Sequence, residues 1–228
     1  MFKYHSFVEI PYGAHWQVVK AVGSNKRVLD VGCATGYIAE RLKKQGCEVV
    51  GLDISPEAVQ AARQICDQAF VADVQVGLPK EIKKGSFDYI ILSDVLEHLT
   101  EPQRALENLS PYLKSTGQVL ISTPNIANYA VRLRLLAGRF DYTESGIMDE
   151  THLHFFTRKS LLKMLDQAGY QIVKFGCTPG LDQTALYNKT FGRILRWFSF
   201  GRKLEYLATR CLPTLLALQF FVSVKNKQ

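Results

Sequence analysis

Val28-Leu29-Asp30-Val31-Gly32-Cys33-Ala34-Thr35-Gly36 is the stretch that decides the fold. An apolar, β-branched run passes through two glycines, four positions apart, into a helical pattern that begins at about Tyr37. A buried strand, a turn with little side-chain bulk and a helix start together open a parallel βαβ unit, and such a turn lets a ligand approach the backbone closely. A dinucleotide-binding turn would read GxGxxG. Here the glycine spacing differs and Asp30 precedes the first glycine, so the nicotinamide-dinucleotide fingerprint is not met.

Outward from that turn the rhythm repeats. EVVGLDIS (48–55) reads as a strand and PEAVQAARQIC as the helix after it, with Ser55 as N-cap and Pro56 in the first helical position. AFVAD (69–73), FDYIILSD (87–94) and GQVLISTP (117–124) read as strands, with the helix PQRALENLSPYL (102–113) before the last of them. Residues 126–155 form a connection longer than ordinary, followed by the helical TRKSLLKMLDQAGY. YQIVKFGCT (170–178) and ALQFFVSVK (217–225) are the last two expected strands, with residues 180–212 inserted between them. The expectation is one α/β domain over residues 1–228. It has a seven-stranded, mostly parallel sheet, an antiparallel last strand, helices on both faces, and the insertions at about 126–155 and 180–212 as a cap on the substrate side.

The composition is that of an ordinary globular domain, 47% hydrophobic and 21% charged over 228 residues. Five scattered cysteines without CxxC spacing suggest neither a disulfide framework nor a zinc site and point to a reducing cytoplasm. The N-terminus lacks an apolar signal core, and the run from Leu212 to Val224 is too short to span a bilayer. A formal charge of +7 favours acidic partners. Nucleic acid is disfavoured because the basic residues are diffuse. Within 190–210, Phe191, Arg193, Arg196, Trp197, Phe200, Arg202 and Lys203 mix bulky apolar and cationic side chains. That mixture suits either an interfacial helix in peripheral contact with an inner membrane or a helix packed over the substrate pocket with its arginines in water.

Each of the first four strands is expected to end in a carboxylate: Asp30, Asp53, Asp73 and Asp94. Ligands of open α/β sheets bind beyond the carboxyl ends of the strands, so these four would line one crevice. They would repel a pyrophosphate. S-adenosylmethionine carries no phosphate, and its sulfonium and ammonium groups match acidic strand ends. Asp53, about twenty residues past the glycine turn, is placed to accept charge-assisted hydrogen bonds from ribose hydroxyls.

VLDVGCATGYIAERL, GLDIS, VADV and FDYIILSDVLEHL resemble the successive cofactor motifs of class I, Rossmann-like S-adenosylmethionine-dependent methyltransferases, over roughly residues 27–125. The resemblance implies that the turn from Asp30 through Gly32, Cys33, Ala34 and Gly36 frames the methionine part. It places ribose on Asp53 and Ile54, adenine on Asp73 and the Val74 amide, and the methionine amine near Ser93 or Asp94. Ala34 departs from the family's usual middle glycine and tightens ligand clearance. Beyond residue 125, TPNIANYAVRLRLLAGRFDY and DETHLHFFT resemble ubiquinone-biosynthesis-type O-methyltransferases.

Transfer to a hydroxyl needs a base to take its proton. His152, then His154, are the candidates in THLHFF, where they would share a face if the segment is extended; a histidine that merely anchors the segment to backbone is the alternative. His98, one helical turn past Asp94, leans into the crevice or pairs with Asp94. Asp149, Glu150, His152 and His154 match no standard ligand spacing, and no metal is expected. Ser93-Asp94-Val95-Leu96 stands where amide- and base-N-methylating relatives carry an NPPY-type segment. Oxygen of a quinone-like, lipid-linked or sugar-containing small molecule is the expected target. A protein that binds the cofactor without catalysis, as a membrane-associated assembly partner, is the rival reading.

Overall fold

The computed structural model describes residue 7, residues 9–180 and residues 199–227. The strands are β1 (Arg27–Val31), β2 (Glu48–Asp53), β3 (Gln68–Val71), β4 (Phe87–Ser93), β5 (Leu113–Pro124), β6 (Tyr170–Pro179) and β7 (Ala217–Asn226). They form one sheet in the order β3-β2-β1-β4-β5-β7-β6, in which β7 alone runs against its neighbours. The expected sheet is the observed one.

Successive side chains of a strand point to opposite faces, so strands covered on both sides read as continuous apolar runs. Leu29, Ile90 and Ile121 enter one core with Leu106, Leu161 and Leu165 of the helices. Their neighbours Val28, Ile91 and Leu120 enter the other, with Val18, Leu42 and Val59. The helices are α1 (Ala14–Val22), α2 (Tyr37–Lys43), α3 (Pro56–Ala62), α4 (Pro102–Leu109), α5 (Tyr129–Leu136), α6 (Arg158–Gln167), α7 (Ser199–Cys211) and α8 (Pro213–Leu216).

Local signals set most boundaries. The Ser55 hydroxyl accepts from the Ala58 amide at 3.2 Å, with Pro56 next to it at the start of α3. Thr157 and Ser160 form a reciprocal capping box at the start of α6. Three features depart from the sequence reading. Helix α3 ends a turn early, because the chain must reach Asp67, whose carboxylate accepts the Val49 amide at 2.7 Å and aligns β3. Strand β5 begins at Leu113, with a bulge opposite the Phe87–Tyr89 stretch of β4. Helix α1 was not anticipated; Val18 and Val22 bury its inner face, while the Gln17 side-chain amide donates to the Cys177 carbonyl of β6 at 3.0 Å.

Candidate active site

A cleft of about 660 Å³ opens at the carboxyl ends of the central strands, a size typical of small-molecule sites. Gly32, Ala34, Asp53, Ile54, Asp73, Val74, Ser93, Asp94 and His98 line it, as expected of neighbouring strand ends in a parallel sheet. Asp30, Cys33 and Gly36 do not. Asp30 is the penultimate residue of β1 and points into the protein, where burial, then the nearby charge of Asp53, push its carboxyl up to about 7. The Cys33 side chain is buried against Gly51, where a β-carbon would lie 2.8 Å from its sulfur. Gly36, at φ 84°, is the left-handed residue that starts α2. These three shape the turn from beneath.

The turn approaches its surroundings closely. A β-carbon on Gly32 would come within 2.7 Å of the Val95 side chain, and its φ of 69° is itself disfavoured for other residues. Ala34 is left-handed as well, at φ 47°, a strained position for alanine. Its amide donates to Asp53 Oδ2 at 2.8 Å, and the Ser55 amide donates to Oδ1 at 2.9 Å. Both oxygens are thereby oriented, yet a carboxylate retains further lone pairs to accept ribose hydroxyls.

Asp73 Oδ1 accepts the Gln75 amide at 2.9 Å, the turn role open to a strand-end aspartate. The loop is held from behind by Asn108, whose side chain donates to the Val74 and Gln75 carbonyls, both at 3.0 Å. Asp94 follows β4 at φ 55°. Its Oδ1 accepts from the Ser122 hydroxyl at 3.1 Å and the Gln219 amide at 2.8 Å, while burial pushes its carboxyl up to about 6. No Lys or Arg lines the cleft among the described residues. Three carboxylates without a cation repel phosphates and fit the cationic, phosphate-free S-adenosylmethionine. When bound, that group supplies an electrophilic methyl on sulfur.

Sequence reasoning missed a further part of the wall. Ile10, Gly13, Ala14 and His15, in and just before α1, and Pro179, Leu218 and Gln219 from the ends of β6 and β7 also line the cleft. Burial lowers the pKa of His15, whose ring lies 5.1 Å from that of Tyr37. The signal available was the spacing of Ala14, Val18 and Val22, one buried helical stripe.

The histidines separate. His98 lines the cleft, and its Nδ1 lies 3.2 Å from the Thr151 carbonyl. His152 is buried one ring behind it, centroids 4.9 Å apart, with Nδ1 3.1 Å from the Ile147 carbonyl. His154 Nε2 lies 3.2 Å from the Thr100 carbonyl, and its ring stacks on Phe156. The segment is not an extended strand: the Leu153 and His154 amides both donate to the Glu97 carbonyl and bend it around that residue. His152 and His154 therefore serve separate contacts, and neither reaches the cleft. None of residues 126–155 lines it; they back it through Glu97 and His98.

Glu97 is 1% exposed, and burial, then the charge of Asp94, raise its pKa well above the usual carboxylate range. One ligand atom each from Glu97, His98 and His152 lies within 4.8 Å of the others, an arrangement that could hold a divalent cation. This trio differs from the Asp149, Glu150, His152 and His154 set weighed from sequence, because residues 54 positions apart meet only through the fold. The 190–210 segment lies partly outside the described residues. Its described part, α7, packs on β6, stacks Tyr206 on Tyr12 at 4.3 Å and turns Leu204 and Leu207 outward. No described helix is long and apolar enough to cross a membrane.

Residues 17–174 match a family model described as a methyltransferase domain. Ubiquinone biosynthesis O-methyltransferases are similar over part of their length. The protein from Aliivibrio fischeri is 32% identical over 152 residues, 64% of each chain, and that from Vibrio cholerae 28% over 168 residues, 71% of this chain and 68% of the relative. The chain thus aligns with somewhat under two thirds of the Aliivibrio relative. Among solved structures, S-adenosylmethionine-dependent methyltransferases from Archaeoglobus fulgidus and Mesorhizobium loti share the fold. They give TM-scores of 0.62 and 0.61, both at 18% identity, covering 94% of this chain and 95% and 98% of theirs. A sheet of this order, a cleft walled by strand-end carboxylates and a family match over most of the chain converge: the chain belongs to the methyltransferase-domain family, in its class I, S-adenosylmethionine-dependent form.

Proposed function

We propose that the protein transfers the methyl group of S-adenosylmethionine to a hydroxyl oxygen of a quinone-like, lipid-linked or sugar-containing small molecule, with His98 as the base. The observation that carries this reading is an imidazole on the cleft wall with its other side fixed. With Nδ1–H donating to the Thr151 carbonyl, Nε2 is the ring's proton acceptor. His152 stands behind as a positioning residue, and His154 holds the bend at Thr100. The acceptor would be taken by the apolar part of the lining, which includes Ile10, Leu99, Pro179 and Leu218. Ring-bearing acceptors suit such a surface. The ubiquinone-biosynthesis relatives favour the same class.

On the cofactor side, Asp53 and Ile54 would take ribose, Asp73 and Val74 adenine, and Ser93 and Asp94 the methionine amine, with Gly32 and Ala34 beneath the methionine part. Displacement at a sulfonium has a good leaving group. Catalysis then consists of alignment by the cleft plus removal of the hydroxyl proton by His98. The chain is then a single domain, with the 126–155 connection supporting the substrate side from behind Glu97 and His98 and the 180–212 insertion as its cap. The 190–210 segment offers a peripheral membrane contact.

The test is incubation with methyl-labelled S-adenosylmethionine and a bacterial extract, followed by phase partition. Label in the organic phase supports a quinone or lipid acceptor, and label in the aqueous phase a sugar or soluble metabolite. No label, with cofactor binding demonstrated by titration, means a non-catalytic binding protein.

A further inference from the structure

The carboxylates of the cleft answer only part of the cofactor's charge. S-adenosylmethionine is cationic at its sulfonium and its ammonium, but the carbon that bears the ammonium also bears a carboxylate. Asp53, Asp73 and Asp94 line the cleft, and no Lys or Arg does among the described residues, so the strand ends repel that carboxylate. An anion taken out of water needs donors. Two imidazoles, His15 and His98, are the basic side chains of the described lining.

Helix α1 supplies what the strand ends lack. His15 is its second residue, at the end where the helix dipole is positive and the first-turn amides lack partners within the helix. Gly13, the N-cap, has no side chain to bond those amides, and no acidic residue lies in the first turn. Gly13, Ala14 and His15 all line the cleft, so this end of the helix opens onto the ligand space. Helix α2 also starts near the cleft, but it carries Glu40 in its first turn, whose charge opposes an anion. His98 is a poorer seat as well. Its Nδ1 engages the Thr151 carbonyl, and a Glu97 oxygen lies within 4.8 Å of the ring.

The position of His15 fits the methionine end. Its ring lies 5.1 Å from that of Tyr37, a lining residue that directly follows Gly36 of the glycine turn. Helix α1 packs on β4 and β7 besides α2. Asp94 follows β4, and Gln219 of β7 donates to it at 2.8 Å. Because the ammonium and the carboxylate share one carbon, the donor for one must stand near the acceptor for the other. Helix α1 borders both the glycine turn and the strands beside Asp94.

We propose that His15, with the backbone amides that open α1, holds the carboxylate of S-adenosylmethionine. The inference rests on the placement of the methionine part and its amine given above. A zwitterion gripped at both charges has a fixed direction, and with it the direction in which the sulfonium presents its methyl. His15 is thus a positioning residue. Ile10, just before the helix, belongs to the apolar lining, so α1 marks where the cofactor's seat and the acceptor's surface meet.

The experiment is calorimetric titration of the full chain with S-adenosylmethionine and with its decarboxylated form, which keeps the sulfonium and the amine. An acidic cleft with no carboxylate seat would favour the decarboxylated, more cationic ligand. Wild type is expected instead to prefer the intact cofactor by about 10- to 100-fold, the range of a hydrogen bond to a charged group. His15→Ala should cut that preference by about tenfold through weaker binding of the intact form alone. His15→Gln keeps an N–H donor and should lose less; it carries the test if the melting temperature shows the alanine variant misfolded. The proposal is overturned if wild type binds the decarboxylated form as tightly, or if the His15 variants weaken both ligands alike or neither. Asp94→Asn keeps the two readings apart, because both ligands carry the amine and should weaken together. If it changes neither while His15→Ala acts as expected, the carboxylate seat stands and the amine's placement at Asp94 falls.

Discussion

The two halves of the cleft are built in different ways. The proposed cofactor half takes one element after another in chain order, the turn after β1, the end of β2, the loop after β3 and the residue after β4, each brought to its neighbour by parallel pairing. The proposed acceptor half draws on α1, the 3₁₀ turn at Leu96–His98, which the bend at 151–154 backs, and the ends of β6 and β7, segments far apart in sequence. A regular sheet repeats a ligand-binding position at every strand end, whereas the far wall is set by whichever loops pack across it. The difference predicts separable failures: changes in the first half should act on cofactor affinity and stability, and changes in the second on turnover.

The largest separation comes from His98. His98→Ala should lower kcat on the order of 10²- to 10⁴-fold while the titrated cofactor affinity holds. His152→Ala should cost less, roughly tenfold to a hundredfold, through misplacement of the ring in front of it. If His152→Ala proves the more damaging, the base lies behind the wall and the assignment is reversed.

Asp30 tests the other half through stability. Folded, its carboxyl holds a proton up to about pH 7; unfolded, only to about 3.9. Between those values the folded state binds the extra proton, so cofactor-free stability falls as pH rises from 4 to 7. Asp94, pushed up to about 6, adds to the same slope. Asp30→Asn should flatten much of that dependence and stabilise the protein at pH 8 by up to about 4 kcal/mol, read from thermal melts across pH. A melting profile unchanged by the substitution would show Asp30 ionised in its buried place.

Asp53→Asn keeps the shape and removes the charge. Weaker hydrogen bonds to ribose should raise the cofactor Kd by about 10- to 100-fold with little change in the kcat of the saturated enzyme. The smallest effect belongs to Ala34→Gly, which relieves a left-handed alanine and should stabilise the fold by about 1 kcal/mol. Cofactor affinity should shift only slightly, and a loss of stability would mean that the methyl group packs usefully where it sits.

The legibility of the two halves follows the same division. Strand-end aspartates could be located from VLDVG, GLDIS, VADV and LSD because parallel strands carry continuous apolar runs that end abruptly. Yet the sequence pattern could not tell Asp53, which lines the cleft, from Asp30, which sits one residue before its strand end and points inward. Pleating decides that, since a shift of one residue reverses the face. THLHFF suggested a shared face for His152 and His154, but two amides captured by the Glu97 carbonyl bend the segment and part them.

By itself the sequence determined the α/β alternation, the order of the strands along the chain, the glycine turn and the acidic character of the cleft. Those properties rest on local propensity, hydrophobic periodicity and charge, which act over a few residues. Only the tertiary structure decided that α1 closes the cleft, that His98 faces it with His152 behind, and that Glu97 meets both. Each of those contacts joins residues dozens of positions apart, and their geometry comes from packing across the sheet, to which no local pattern in the chain responds.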